Sequence, residues 1–241
     1  MLSPKAATSN FSDEDCSAIY RVIHERRDVR SQFIEKPIPD AVLGRILDAA
    51  HHAPSVGLMQ PWDFLLIENP AVRSQICDHF REMKEHADIY NGERQALYRS
   101  LKLEGILDAP LNVCITCDRQ RTQGYGLGRQ SDPMTDLYST VCAVQNFWLA
   151  ARAESVGVGW VSVIDHDRVK RILAIPSHIH LVAYLCVGYV SEFRSRPELE
   201  ETGWESRTPL RELLHFDSWT NRCQARADAI CANDLGFPKR P

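Results

Sequence analysis

Residues 135–163, TDLYSTVCAVQNFWLAARAESVGVGWVSV, decide how this chain folds. Over residues 139–153, ten of fifteen positions are apolar, and they fall on every side of a helical wheel. A helix of that kind belongs in a core or an oligomer interface. Its polar Gln145 and Asn146 must then find partners inside. After a short break, residues 158–163 turn to strand-forming side chains. Residues 181–190 form a fully apolar run of strand length, as expected for the middle of a sheet covered on both faces.

Working outward, Ser12-x-x-Asp15 is a capping-box variant. The apolar spacing of Ile19, Tyr20, Val22 and Ile23 predicts a helix running to about Glu25. A second helix should begin near Asp40 and stop before Pro54, because a residue preceding proline is pushed out of the helical region. Residues 62–67 and 111–117 read as strands, and Asp165 caps a helix through Leu173. Residues 71–105 have a charged helical pattern broken near Tyr90-Asn91-Gly92, which suggests a helical hairpin serving as a lid. GYGLG at 124–128 lacks the full G-x-G-x-x-G spacing and reads as a flexible loop. No repeat or linker divides the chain, so residues 1–241 are expected to form one domain of α+β or α/β type. Residues 191–219 are charged and proline-punctuated, an arm expected to pack across another surface, which in an oligomer could be the partner's. Residues 220–241 form a tail.

Composition narrows the function classes. The chain has 241 residues, 44% hydrophobic, and a formal net charge of -4, which argues against nucleic-acid binding. No apolar run approaches the roughly 18 residues of a membrane span, and the first ten residues, MLSPKAATSN, read as a loose tail rather than a signal peptide. Eight cysteines are present, yet their spacing is no disulfide framework. Cys114 and Cys117, three apart on an expected strand, point to opposite faces and are poorly placed to chelate one metal. Reduced core thiols fit better, and they suit a cytoplasmic protein. No metal is expected.

Four constellations could carry chemistry. Arg26-Arg27-Asp28-Val29-Arg30 offers a dense set of guanidinium forks suited to phosphate, although a solvated surface turn accounts for it nearly as well. Asp28 is the anomaly, since a pure phosphate site has no use for a carboxylate among its donors. The loop Ala53-Pro54-Ser55-Val56-Gly57-Leu58-Met59-Gln60-Pro61-Trp62 has small residues that permit close backbone approach to a flat ligand, with Ser55 and Gln60 as hydrogen-bonding groups. Gly157-x-Gly159-Trp160-Val161-Ser162 places two glycines before a serine on a strand. Arg207, in Ser206-Arg207-Thr208-Pro209, could complete an anion site from far away in sequence.

This order of motifs resembles the flavin-binding nitroreductase superfamily. More narrowly, ERRDVRSQF, APSVGLMQPWDFLLI, LKLEGILDAPLNVCITCD, the 135–163 stretch and GWESRTPLREL look like the 5,6-dimethylbenzimidazole synthases, or flavin destructases. The resemblance spans roughly residues 11–219. Its mild departure is Gln130-Ser131-Asp132-Pro133. It implies a three-layer α-β-α domain with a central mixed sheet, a helical lid and an extended C-terminal arm, assembled as a homodimer whose sites draw on both subunits. Arg26, Arg30 and Arg207 would hold the phosphate and ribityl chain of FMN, with Arg27 and Ser55 nearby. The stretch around Val29 and the backbone of Pro54, Gly57 and Met59 would lie in the flavin shell, and Ser162, near the flavin, would act in catalysis by positioning a flavin oxygen or a reactive oxygen intermediate. The implied reaction consumes reduced FMN and O2 and gives 5,6-dimethylbenzimidazole, the lower ligand of cobalamin, and erythrose 4-phosphate. A separate reductase would supply the reduced FMN. Asp28, usually a neutral residue in ordinary nitroreductases, would be the general acid/base. The alternative on the same scaffold is an NAD(P)H-dependent nitroreductase or quinone reductase. Burial would raise the Asp28 pKa and the flanking arginines would lower it, and the sequence does not decide between them.

Overall fold

In the computed structural model, residues 10–86 and 90–232 are described. The chain forms, in order, α1 (Asp13–Glu25), α2 (Asp40–His51), β1 (Trp62–Ile67), α3 (Pro70–Glu85), α4 (Gly92–Ser100), β2 (Leu111–Asp118), α5 (Thr135–Ala153), β3 (Val156–Val161), α6 (His166–Ile172), β4 (Ile179–Tyr189), α7 (Glu198–Glu201) and α8 (Gln224–Ala232). Short 3-10 turns occur at Val56–Leu58, Gln123–Gly126 and Leu210–Leu213. Two compact units result, Glu25–Ser195 and a smaller one that joins the N-terminal segment through His24 to the segment from Arg196 onward.

In the smaller unit, Ser12 and Asp15 cap α1 reciprocally. The Ser12 N–H donates to the Asp15 carboxylate at 3.0 Å, and the Asp15 N–H donates to the Ser12 hydroxyl at 3.2 Å. Ile19, Tyr20 and Ile23 of α1 are exposed, as is Trp219. Residues 224–232 are helical, with Ala227 buried. The loose tail expected at 1–10 lies, apart from Asn10, outside the described residues, and so does the 220–241 tail beyond 232.

The larger unit is built on a four-stranded sheet in the order β1-β2-β4-β3, every ladder antiparallel. Its mixed character is confined to one parallel bridge, Asp28 with Val158, at the outer edge of β3. The apolar run expected as a central strand is β4, flanked on both sides. Ala183, Leu185 and Val187 face one core with α2 and α5, whereas Tyr184 and Cys186 face the other with α3 and α6. Three layers follow from that alternation. Cys114 joins the α3 side while its neighbours Val113 and Ile115 join the α5 side. Cys114 and Cys117 are free and buried, and burial pushes both thiols up.

The helical segment expected as a lid forms α3 and α4, with residues 87–89 between them outside the described part. Its first helix is more than a cover, because α3 turns Ile76, Cys77, His79 and Phe80 into the second core. Asn69 caps α3 by accepting from Ala71 N–H at 2.9 Å, with Pro70 at the first helical position. α5 is buried over half its circumference only. Val141, Tyr138 and Gln145 lie on an exposed face, so Gln145 needs no internal partner, whereas Asn146 donates to Ala49 O at 3.1 Å.

The glycines of β3 are steric requirements. A Cβ at Gly159 would lie 2.0 Å from the Val29 carbonyl oxygen, and one at Gly157 would lie 2.4 Å from the Val190 side chain. Gly44, exposed on α2, has nothing within 4 Å of such an atom. Gly159→Ala is therefore expected to destabilise the fold by about 3 kcal/mol, and Gly44→Ala to stabilise it by roughly 0.5–1 kcal/mol. Urea unfolding of the two variants checks the contrast, and equal effects would refute it.

Candidate active site

The segment 26–30 follows α1 and lies along the edge of β3. Val29 N–H donates to Val158 O at 3.0 Å, so the main chain acts as a short extra strand and covers an otherwise open edge. Gly159 permits the approach. Gly105 adds a second close contact, since a Cβ there would meet the Arg30 carbonyl oxygen at 2.7 Å.

Asp28 is thereby aimed along the sheet edge. Its Oδ1 accepts from Trp160 N–H at 2.9 Å, and its Oδ2 accepts from Arg30 Nη2 at 2.9 Å. About a third of the side-chain surface (32%) is open to solvent. The carboxyl is nevertheless crowded, because with Arg30, Glu104, Gly159 and Trp160 it lines a crevice too narrow to admit water. Burial pushes the Asp28 pKa above the ordinary carboxylate value. The Arg30 guanidinium and the Trp160 N–H pull it down and do not fully offset that.

The three arginines have separate occupations. Arg30 is buried; Nη2 is spent on Asp28, and Nη1 has no hydrogen-bond partner among the described residues. Arg27 is buried and turns to main-chain oxygens, donating from Nη1 to Arg26 O at 2.7 Å and from Nη2 to Ser195 O. Arg26 lies over the Trp148 ring, 4.5 Å from its centroid, and Trp148 Nε1 donates to Arg27 O at 3.2 Å. Trp148 had no place among the candidates read from sequence, because an aromatic residue in an apolar helix signals core packing first.

The 54–60 loop is a tightly wound turn. Ser55 Oγ accepts from Gln60 N–H at 3.1 Å, and Val56 N–H donates to Ser139 Oγ at 3.2 Å. Gly57, Leu58 and Gln60 have φ of 61°, 54° and 42°, and a left-handed residue other than glycine costs on the order of 1 kcal/mol. Pro54 is exposed, whereas Met59 is enclosed as a whole residue. The GYGLG stretch, expected as a flexible loop, is a turn that braces this one. A Cβ at Gly124 would lie 2.5 Å from Gly57 O, and Gln123 Nε2 donates to Leu58 O at 2.9 Å.

Ser162 corrects one expectation. β3 begins at Val156 and ends at Val161, two residues earlier at each end than read from sequence, so Ser162 follows the strand in an exposed turn. Arg207 belongs to the smaller unit and is exposed there. The loop contact at Ser139 and the arginine contact at Trp148 are nine residues apart on α5. That spacing places them roughly 14 Å apart along its axis and half a turn apart around it.

This scaffold matches the nitroreductase family over residues 23–189, and the chain belongs to that family. It is 45% identical over 185 residues to the 5,6-dimethylbenzimidazole synthase of Rhodospirillum rubrum, covering 76% of this chain and 87% of that one. It is 39% identical over 201 residues to the synthase of the same name from Rhodobacter capsulatus, covering 83% and 97%. Within the nitroreductases the chain therefore belongs to the 5,6-dimethylbenzimidazole synthase family, and it is an enzyme of oxidoreductase type. Among solved structures, iodotyrosine deiodinase bound to FMN and 3-iodo-L-tyrosine shares the fold at 19% identity, with a TM-score of 0.65 over 83% of this chain and all of that one. Among the described residues, no helix is long and apolar enough to cross a membrane.

The electrostatics have a signed consequence. Arg30 opposes the effect of burial on Asp28, so Arg30→Gln should move the Asp28 pKa further up. Carbon-detected NMR titration of the Asp28 carboxyl measures this, and a fall would show that Arg30 is not what holds the carboxylate.

Proposed function

We propose that this enzyme cleaves reduced FMN with O2 to 5,6-dimethylbenzimidazole and D-erythrose 4-phosphate, supplying the lower ligand of cobalamin. The observation that carries the reading is Asp28, a carboxyl of raised pKa fixed between Arg30 and the Trp160 N–H. Each carboxylate oxygen has spent one of its two acceptor positions, so each retains one for a substrate N–H or O–H. A raised pKa brings proton uptake and release within easier reach near neutrality, which is what a general acid/base needs.

The residues suit a phosphorylated flavin. Arg30 Nη1 is a buried cationic donor with no hydrogen-bond partner among the described residues, and an anionic or carbonyl oxygen would satisfy it. In this reading Arg26, Arg30 and Arg207 hold the phosphate and ribityl chain, with Arg27 nearby in the flavin shell. Val29, Pro54, Ser55, Gly57 and Met59 contribute to the flavin shell through their main chain, and Ser162 orients a flavin oxygen. Reduced FMN supplies both the electrons that reduce O2 and the dimethylated ring that leaves as product. The chain's own part is to bind, to exclude water from the Asp28 crevice, and to move protons at the Asp28 carboxyl. A separate flavin reductase furnishes the substrate.

Assembly as a homodimer accounts for two features. The arginine segment and the 54–60 loop sit on opposite flanks of α5, which favours a site that takes one from each subunit. Met134, just before α5, and Tyr138 and Val141 on it form an exposed apolar stripe, of the kind that marks a subunit contact.

Anaerobic addition of reduced FMN followed by air, with chromatography of the products, tests the reaction. Asp28→Asn is expected to keep flavin affinity within a few-fold and lose dimethylbenzimidazole formation by 100-fold or more, within the range general acid/base catalysis supplies (roughly 10²–10⁴). Ser162→Ala should fall less steeply. Wild-type turnover in Asp28→Asn would end the acid/base role. Simple reoxidation by the wild type, with rapid reduction by NAD(P)H, would favour the reductase alternative. Val141→Arg should shift sedimentation from dimer to monomer and weaken flavin binding in parallel.

A further inference from the structure

His79 is a fully enclosed polar side chain (2% exposed) that the proposed reaction does not use. It projects from α3 toward the turn after β3, where its Nε2 accepts the Asp165 N–H at 2.8 Å. Asp165 is itself a junction, since its carboxylate accepts the Arg168 N–H at 2.6 Å and caps α6. One turn further along both helices, Arg168 forms a two-bonded pair with Glu82 of α3. α3 therefore grips the end of the β3–α6 turn and α6 at two rungs, one partly buried and one exposed. The exposed ion pair adds little. The His79 rung matters more, because its acceptor is an enclosed ring fixed by the packing of α3.

Ser162 lies within this turn. On its N-terminal side, Val161 is fixed by pairing with Tyr184 of β4. On its C-terminal side, Ile164 is buried in the second core and Asp165 is held by His79. We infer that His79 is a positioning residue for Ser162: it latches the 162–165 turn to α3 and sets where the serine hydroxyl stands. This inference rests on the proposed role of Ser162.

The latch depends on one tautomer. Because Nε2 accepts, the neutral ring carries its proton on Nδ1, which has no hydrogen-bond partner among the described residues. Protonation would put a second donor against the Asp165 N–H and break the bond. Burial and the Arg168 cation hold the His79 pKa below its ordinary value, while Asp165 and Glu82 act the other way. The latch is thus closed at neutral pH and opens as pH falls through that lowered value.

The test uses the full-length protein with FMN affinity, dimethylbenzimidazole turnover from reduced FMN and O2, and hydrogen exchange of peptides covering 162–168. His79→Leu removes the acceptor at similar volume; His79→Gln restores one that does not titrate in this range. His79→Leu is expected to accelerate exchange of the Asp165 amide at least tenfold and lower turnover about tenfold, with FMN affinity within twofold. His79→Gln is expected to keep both near wild type and to lose the wild type's drop in protection of the Asp165 amide at acid pH. Unchanged exchange or unchanged turnover in His79→Leu would overturn the latch. Should His79→Leu fail to fold, His79→Gln decides alone: a parallel acid drop in Asp165 amide protection in it and the wild type overturns the proposal. Full turnover in Ser162→Ala alongside accelerated exchange in His79→Leu would support the latch and instead remove the reading of Ser162 on which it rests.

Discussion

The structure of the candidate site depends on one close approach, the Val29 carbonyl against the bare Cα of Gly159. That contact lets an irregular segment with four charged residues of mixed sign among five lie flat on a sheet edge. It brings the Asp28 carboxylate onto the Trp160 N–H, and it brings Arg30 close enough to complete an ion pair. The desolvation cost of Asp28 is offset in part by these two partners, which leaves the group strained toward its neutral form without ejecting it from the site. A methyl group at position 159 would lift the whole assembly off the strand. Gly105 and Gly188 show the same economy on neighbouring surfaces, where a Cβ would strike Phe33 or Pro110.

Much of the layered architecture was legible in the sequence because hydrophobic period and length are strong signals. The run at 181–190 became the doubly covered strand β4, and the apolar helix became α5, with its N-terminus four residues earlier than the pattern suggested. Caps at Ser12 and Asp165 formed as their chemistry predicts. What sequence did not give was direction. An all-round apolar helix does not say which half meets the sheet and which half stays open, and Gln145 fell on the open half. Nor does composition distinguish a slack glycine loop from a braced one; GYGLG is wound tight by its contact with Gly57, a residue 67 positions away.

At the site, residue types were easier to read than their partners. Asp28 stood out as an acid among arginines, yet the sign of its pKa shift needed the crevice formed with Glu104 and Gly159, which come from distant stretches. The three arginines looked interchangeable and are not, since one stacks on Trp148, one binds carbonyl oxygens and one pairs with the acid. Trp148 and His79 escaped notice because a buried aromatic or histidine is indistinguishable, in one dimension, from ordinary packing. Ser162 was misplaced by the same limit, as strand ends depend on where the partner strand stops pairing.

The bonds that hold residue 28 in place are made by main-chain atoms of its neighbour, Val29 N–H to Val158 O, together with a contact between backbone oxygen and glycine. The Asp28 side chain adds two bonds of its own, accepting from Trp160 N–H and from Arg30 Nη2. A neutral side chain that still accepts from the Trp160 N–H would therefore keep the main-chain seat of this position. A lineage could trade a neutral hydrogen-bonding residue for a proton-transferring one here and change the chemistry of the site while the main chain stays where it was.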